Sequence, residues 1–391
     1  MSGKRDLIPV RAGFIPLLDA ATLIIAREKS FAEEQGIALE LIRETSWANI
    51  RDRVAIGHFD VAHMLAPLPI AVSLGLAPLT VAMIAPMSLG LGGNAITVSS
   101  EIWSEMKLSG APSNGDPSAA GAALCAVMKT RARAGRRALK FGIVHPFSSH
   151  NYELRYWLSA TASGQEAEFV VLPPPLMADA LASGGIDGYC VGEPWNTAAV
   201  SAGSGRIVTT KTAIWKSSPE KVLGLREEWA EQNPDRLSAL IRALHAAALW
   251  CDEPRNHAEL AHILSARAYL DQPTELLLPG LSGRLKIGDE LMPVADFLRF
   301  EKGGANYPRV EHALWFLSQM ARWGQTKLTE EAIAKTRATY RADLYLSALG
   351  PTAAAGAKAQ SAFFDGKRFD PDQLQDYVAS FSRLPPVFER G

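Results

Sequence analysis

The sequence predicts an α/β fold made of two strand-and-helix units, followed by a mainly helical part. Strand-like and helix-like patterns alternate at short intervals through the first hundred of the 391 residues. A stretch rich in glycine, serine and proline interrupts the alternation at 105–121, and it resumes up to about residue 205. Alternation at this spacing is typical of helices that cover a parallel sheet.

In the first unit, apolar runs of strand length are separated by helical repeats. The helix that follows the first strand is expected to end at Gly36, a typical C-cap residue. The predicted elements are a strand at 7–14, a helix at 17–36, a strand at 37–44, a helix from Trp47 to Gly57, a strand at 59–64, a helix opened by Pro67 and Pro69, and a strand at 79–87.

The second unit repeats the alternation, and the chain beyond about residue 205 is predicted to be mostly helical. Asn233 and Pro234 form a helix start of the common type, with Asn as N-cap and Pro at the first helical position. The predicted elements of the second unit are a helix at 119–135, a strand at 139–145, a helix from about 150, a strand at 168–173 and a strand at 186–192.

Composition excludes several classes of function. Lys plus Arg (40) nearly balance Asp plus Glu (41), so the overall basic field typical of nucleic-acid binding is missing. The three cysteines (Cys125, Cys190 and Cys251) are widely spaced, and they are expected to be buried apolar residues rather than disulfide partners. CxxC, HExxH and GxSxG motifs do not occur, so a zinc site or a serine hydrolase has little support.

The beginning of the chain bears on its location in the cell. No apolar run there is long enough for the core of a signal peptide, and no segment of the sequence has the length of a membrane span. A cytoplasmic protein is therefore expected. The alternative is a chain from which a leader has been removed.

One candidate anion site is the helix start after the second strand. Ser46 is expected to cap this helix, and Trp47 follows it. The amino end of a helix beyond the carboxyl end of a parallel strand offers free N–H groups to an anion. The ordinary alternative is a cap followed by a hydrophobic anchor.

A second helix start of the same construction lies in the second unit. Ser148, Ser149 or His150 is expected to be the N-cap, and Glu153 is expected to supply a reciprocal capping contact. The two starts fall in different units, so a small anion held between the units would touch both. A histidine that only caps its helix is the alternative.

Two further segments supply candidate donors. The glycine-rich run at 88–100 leads into a strand rather than a helix, which argues against a phosphate loop. Its glycines would let backbone N–H groups approach a ligand, with the Asn94 amide as a further donor, or they form a simple turn. Lys216 and Lys221 lie near what is predicted to be a proline-initiated helix, and each is either a counter-charge or a surface lysine.

Taken together, these segments resemble the nitrate- and bicarbonate-binding family of ABC-transporter solute-binding proteins. The strings SWANIRD (46–52), CVGEPW (190–195) and PEKVLG (219–224) carry the resemblance, which runs through most of the chain. It implies a type II periplasmic-binding-protein fold, with two α/β lobes around a ligand cleft. The division it implies is 1–96 for lobe one, 97–205 for lobe two, and 206–391 for a return to lobe one plus a helical C-terminal extension.

The resemblance also implies a set of ligand contacts. Nitrate-binding members hold the anion with a Trp, a Gln, a His and a Lys, which fall on Trp47, Asn94, His150 and Lys221. Asn94 departs from the family pattern because it shortens the amide side chain. Bicarbonate-binding relatives have a cation-assisted site with an acidic residue where Lys221 stands, so the lysine favours nitrate or nitrite. Possible secondary contacts are Ser46, Gly93, Ser149, Pro174 and Glu193.

The expected role is that of a cytoplasmic nitrate or nitrite sensor. Leaderless members resemble sensors of the NasS type, which control an ANTAR-type RNA-binding antiterminator (NasT-like) of nitrate assimilation genes. The resemblance implies no cofactor, no metal, no enzymatic activity, no direct contact with nucleic acid and no membrane contact. The alternative is a nitrate- or bicarbonate-binding component of an ABC transporter. The pyrimidine synthase of thiamine biosynthesis shares the fold, but the scattered cysteines lack its iron-binding cluster.

Overall fold

The computed structural model describes residues 7–162, 165–357 and 363–381. These residues form two α/β lobes, each built on its own sheet, and the predicted type II fold is confirmed. The first six residues, on which part of the expected cytoplasmic location rests, lie outside the described residues. None of the helices in the described ranges is long and apolar enough to cross a membrane.

Each strand with predicted bounds is present, with its ends shifted by up to four residues. In chain order, the strands are β1 Ile8–Phe14, β2 Ile37–Arg43, β3 Val61–Leu65, β4 Met83–Ser88, β5 Leu91–Gly92, β6 Asn94–Ser99, β7 Leu139–Ile143, β8 Ala167–Val171, β9 Gly188–Gly192, β10 Gly205–Thr210, β11 Lys221–Arg226, β12 Arg284–Ile287, β13 Glu290–Pro293 and β14 Leu298–Arg299.

The sheet of lobe one has the order β2-β1-β3-β11-β4. Strand β1 pairs in parallel with β2 and β3, but β11 is antiparallel to both β3 and β4. The expected parallel sheet is therefore a mixed one. The exception arises because β11 enters lobe one from lobe two, opposite in direction to the strands it joins.

The sheet of lobe two has the order β13-β12-β10-β6-β9-β7-β8. Strand β6 runs antiparallel to both of its neighbours, β9 and β10. The antiparallel pair β12 and β13 comes from a region predicted to be mostly helical. The division of the chain into lobes stays a prediction, and from the sheets we propose that lobe two takes in 94–210 together with 284–293.

Helices cover both sheets and form most of the remaining chain. They are α1 Ala21–Glu28, α2 Phe31–Glu34, α3 Trp47–Ala55, α4 Leu68–Ser73, α5 Ser100–Leu108, α6 Pro117–Arg133, α7 Ser149–Thr161, α8 Met177–Ala182, α9 Trp195–Ser201, α10 Lys211–Ile214, α11 Glu227–Gln232, α12 Pro234–Asp252, α13 His257–Ser265, α14 Thr274–Ser282, α15 Val310–Arg322, α16 Glu330–Thr339, α17 Ala342–Leu349 and α18 Leu374–Ala379. Short 3₁₀ turns occupy Leu18–Ala20, Pro174–Leu176, Pro254–Asn256 and Pro351–Ala354.

Two helix predictions are corrected by the backbone. The single helix expected at 17–36 is a 3₁₀ turn followed by α1 and α2, because Ser30 adopts a left-handed conformation (φ 59°) that breaks the helical path. The lysine-bearing segment before residue 224 does not start a helix, since Lys221 is the first residue of β11. The three cysteines are free and buried.

Candidate anion site

Lobe one contributes a buried polar cluster at the carboxyl ends of its parallel strands. Asp19 lies in the 3₁₀ turn after β1, His63 is in the middle of β3, and Trp47 begins α3 after β2. Lys221 opens the neighbouring β11, which is antiparallel, so its first residue lies at the same edge. All four side chains are buried, and this edge is where an α/β sheet usually binds its ligand.

Asp19 links the lysine and the histidine of this cluster. Its carboxylate accepts hydrogen bonds from Lys221 Nζ at 2.8 Å and from His63 Nε2 at 2.9 Å. Burial by itself would raise the pKa of Asp19, but the attraction of Lys221 and His63 lowers it to about 2. Lys221 Nζ also lies 5.2 Å from the centroid of the Trp47 ring, in cation–π range.

Lobe two presents donors toward the same place. Asn94 is the first residue of β6, Ser149 and His150 form the first turn of α7, and Lys211 begins α10. Ser148 is the N-cap of α7, since its Oγ accepts from Asn151 N at 3.1 Å. The cap fixes the helix start, and the residues that follow it point into the interface between the lobes.

These groups converge on the carboxylate of Glu220. Glu220 is not among the site residues predicted from the sequence. Its oxygens accept from Asn94 Nδ2 at 2.8 Å and from Ser149 Oγ, His150 Nε2, Lys211 Nζ and Lys221 Nζ. Burial by itself would raise the pKa of Glu220, but the surrounding histidine and lysines hold it well below its usual range. Glu220 is therefore an ionised, fully enclosed carboxylate.

Glu153 does not make the reciprocal capping contact that the sequence predicts. Its carboxylate instead accepts from Ser218 Oγ and pairs with Lys211 Nζ at 3.1 Å. The reason is that Lys211, brought in from the end of β10, offers a full charge where the helix start offers only a backbone dipole. Burial raises the pKa of Glu153 to about 7.

Several buried polar atoms at this place have no hydrogen-bond partner in the described structure. They include Trp47 Nε1, His150 Nδ1 and Asn94 Oδ1. An unpaired buried donor or acceptor costs free energy, so native proteins rarely keep one without a function. The Trp47 N–H is of particular interest because an indole nitrogen can only donate, which suits an anion.

The predicted secondary contacts have varied positions. Ser46 is the N-cap of α3, since its Oγ accepts from Asn49 N at 3.2 Å. The Gly93 carbonyl accepts from Glu193 N at 3.1 Å, and the Glu193 carbonyl accepts from Leu18 N at 2.9 Å, which joins the lobes. Pro174 is buried at the start of a 3₁₀ turn, and none of the described hydrogen bonds connects it with the cluster.

The structure thus brings Asn94, His150 and Lys221 onto one carboxylate and places Trp47 beside the lysine. Lys216 is exposed, in agreement with its ordinary reading as a surface lysine. The roles of the four residues in ligand binding stay predictions. The cluster is suited to a small planar oxyanion, because its donors converge from several directions on two oxygens that share one delocalised charge.

The two-lobed fold and the buried set of hydrogen-bond donors at the lobe interface are those of a solute-binding protein. Residues 3–265 match the NMT1-like family. The chain belongs to this family, within the nitrate- and bicarbonate-binding group of ABC-transporter solute-binding proteins.

The relatives of the chain differ in length: some are only slightly longer than it, and others are nearly twice as long. The chain is 32% identical over 393 residues to the nitrate/nitrite binding protein NrtA of Nostoc sp. PCC 7120, covering 96% of this chain and 86% of that protein. It is 34% identical over 387 residues to the nitrate import ATP-binding protein NrtC of Synechocystis sp. PCC 6803, covering 96% of this chain but 56% of NrtC. The chain therefore spans about half the length of this second, longer relative.

Solved structures support the same fold. The crystal structure of the periplasmic nitrate-binding protein NrtA from Synechocystis PCC 6803 superposes with a TM-score of 0.86 at 29% identity, covering 96% of this chain and 99% of that one. The alkanesulfonate-binding protein SsuA from Xanthomonas axonopodis matches at a TM-score of 0.56 and 14% identity, covering 85% of this chain and 99% of that one. At that identity, the second likeness concerns the fold alone.

Proposed function

We propose that this protein binds nitrate or nitrite between its lobes, at the cluster formed by Trp47, Asn94, His150 and Lys221. The observation that carries the proposal is the convergence of donors from both lobes on one delocalised oxyanion, the Glu220 carboxylate. Nitrate and nitrite have the same planar, delocalised arrangement of oxygens. The relatives named as nitrate/nitrite binding proteins support the choice of ligand.

The proposed contacts have separate tasks. Lys221 supplies the positive charge, and charge-assisted hydrogen bonds are roughly twice as strong as neutral ones. Trp47 supplies an apolar wall for a weakly hydrated anion and an N–H for which the described residues offer no partner. His150 and Asn94 supply further hydrogen-bond donors, and burial lowers the pKa of His150.

We further propose that the protein is a cytoplasmic sensor and controls an ANTAR-type, NasT-like antiterminator. The site lies between the lobes, so an anion bound there would change the balance between open and closed forms. A partner that binds only one of these forms would respond to the anion. A nearly complete switch needs roughly 5.5 kcal/mol of differential affinity, which a buried anion with a lysine and several donors can supply.

The second candidate is a solute-binding component of an ABC transporter. The names of the relatives favour it, since they describe binding and import proteins for nitrate and bicarbonate. The two candidates share the ligand and differ in the partner. Bicarbonate is the alternative ligand for this candidate.

Isothermal titration of the purified protein with nitrate, nitrite and bicarbonate, without added divalent cations, tests the ligand. Binding of nitrate or nitrite supports the proposal, and binding of bicarbonate alone contradicts it. The partner is tested by gel filtration of the protein mixed with an ANTAR-domain antiterminator from the same genome. A complex that forms without nitrate and dissociates with it supports the sensor, whereas no complex in either condition favours the transporter.

A further inference from the structure

Glu220 belongs to lobe one but is bound mainly by lobe two. It lies directly before Lys221, the first residue of β11. Four of its five donors, on Asn94, Ser149, His150 and Lys211, come from elements attached to the sheet of lobe two. One carboxylate therefore uses donors that a soluble anion between the lobes would need.

A carboxylate and a nitrate or nitrite ion compete for such donors because they are chemically alike. Each has oxygens on one planar central atom, two in the carboxylate and nitrite and three in nitrate, and these oxygens share one negative charge. A hydrogen that Asn94 or His150 donates to Glu220 is not available to a second acceptor at full strength. Two such anions side by side in a buried site would also repel each other strongly.

The charges of the cluster lead to the same conclusion. The carboxylates of Asp19 and Glu220 pair with the ammonium groups of Lys211 and Lys221, and Lys211 also pairs with Glu153, whose pKa burial raises to about 7. The cluster thus has no excess of positive charge, and adding nitrate to it would leave at least one uncompensated negative charge in the interior, which is costly. If nitrate takes the place of the Glu220 carboxylate, the balance is preserved.

We propose that Glu220 is an intramolecular ligand that occupies the anion site and must leave before nitrate or nitrite can bind. This inference rests on the proposed function, since it concerns the same site. The observed association constant is then the intrinsic association constant multiplied by the fraction of molecules in which the carboxylate has left the site. Glu220 thereby sets the anion concentration to which the protein responds.

The test is the nitrate affinity of Glu220→Gln by isothermal titration. Glutamine keeps the size of the side chain and one acceptor oxygen but removes the charge that competes with the anion. We expect the dissociation constant to fall by about tenfold or more, because the like charge adjacent to the ligand is gone. Asp187→Asn is the matched control, since it removes one buried carboxylate of lobe two that pairs with Arg137 at 2.6 Å, outside the cluster. Its affinity should stay within about twofold of wild type.

A second variant covers the case in which Glu220→Gln does not fold. Glu220→Asp keeps the charge that compensates the lysines, but its side chain is one methylene shorter and withdraws the carboxylate from lobe two. It should also bind nitrate more tightly than wild type, by a smaller factor. Weaker or unchanged binding by the variant that folds would overturn the inference, because Glu220 would then assist the anion rather than compete with it.

The outcomes separate the two proposals. If the wild type binds nitrate or nitrite and the Glu220 variants bind no more tightly, the proposed function stands and only the inference fails. If neither the wild type nor the variants bind either anion, the proposed function fails, and the inference fails with it.

Discussion

At the residue scale, two parts of the Trp47 side chain have different surroundings: the ring is packed in the core, and the N–H is unpaired among the described residues. Its ring is buried beside Lys221 and packs against His63 at 5.4 Å between centroids, as a core residue does. Its N–H, however, is buried without a partner in the described structure. Packing accounts for the position of the ring, and the proposed anion would account for the unpaired N–H.

Trp47→Phe should therefore weaken nitrate binding without lowering the stability of the free protein by a comparable amount. The substitution removes the unpaired N–H and keeps most of the aromatic wall. We expect a loss of about tenfold in affinity, equal to about 1.4 kcal/mol, by titration calorimetry. The control is the urea midpoint without anion. A large drop in that midpoint together with unchanged affinity would contradict a ligand role.

Lys221→Ala should abolish nitrate binding and also destabilise the free protein. It leaves Asp19 and Glu220 with less compensation in the interior, and breaking a buried pair costs on the order of 3–5 kcal/mol. Calorimetry and urea unfolding measure the two effects. Lys216→Ala is the matched control, because this lysine is in the same segment but exposed, and it should change neither quantity. Wild-type nitrate affinity in Lys221→Ala would show that this lysine is not a ligand.

The residues that the sequence could identify are those whose local context carries a pattern. Trp47 and His150 follow helix caps, and Lys221 lies within a family string, so each could be selected before the fold was known. Asp19 and Lys211 could not, because a single charged residue has no local mark among 41 acidic and 40 basic ones. Glu220 lies in the same string as Lys221, but the resemblance implies a ligand contact only for the lysine. Their burial and pairing depend on which strands become neighbours.

At the scale of the element, the start of α7 positions two of the donors. Ser149 and His150 occupy its first turn, and the Ser148 hydroxyl holds that turn by capping Asn151 N. The cap links a local backbone preference to the geometry of the site. Removal of the cap should therefore lower the affinity for the ligand.

Ser148→Ala should cost about 1 kcal/mol of stability and also weaken nitrate binding. The first turn of α7 would lose its anchor, and the Ser149 and His150 side chains would no longer be held in place. Thr329→Ala provides the comparison, because Thr329 caps α16 in the same manner, accepting from Ala332 N at 3.1 Å. It should lose similar stability in urea and keep wild-type affinity. Equal affinities in both variants would argue that the cap of α7 does not position the donors.

Elements were predictable where a single pattern determines them. Strands β1, β2 and β7 and the helix at Pro234 follow from apolar runs, capping residues and proline position. The antiparallel direction of β11 and the pair β12 and β13 did not follow, because they depend on where the chain crosses between lobes. Short strands with polar neighbours, such as Arg284–Ile287, also carry a weak pattern.

At the scale of the molecule, stability depends on several buried groups whose pKa values differ from their usual range. Burial lowers the pKa of His63, His145 and His150, so the folded state binds fewer protons there and gains stability as the pH rises toward 6.5. Burial raises the pKa of Glu153 and Glu193 to about 7, so these groups favour the folded state most below pH 4.5. Their contribution is lost as the pH rises through 7.

Glu193→Gln isolates one of these contributions. At pH 4.5 the wild-type carboxyl is neutral in the folded state and about half ionised in the unfolded state, so the linkage effect is small and the variant should have nearly wild-type stability. At pH 8 the wild type carries the cost of a buried charge, and the variant should be more stable by on the order of 3 kcal/mol. Urea unfolding at both pH values measures the difference. A difference that does not change with pH would mean that Glu193 has an ordinary pKa.

The hairpin of β12 and β13 has a consequence for anyone who shortens this protein. Strand β12 pairs with β10 at Ile207 and Ile287, whereas the family match ends at residue 265. A fragment trimmed to that match would leave β10 as an open edge with unpaired backbone groups, a template for intermolecular aggregation. A shortened form of this protein must therefore extend at least through Pro293.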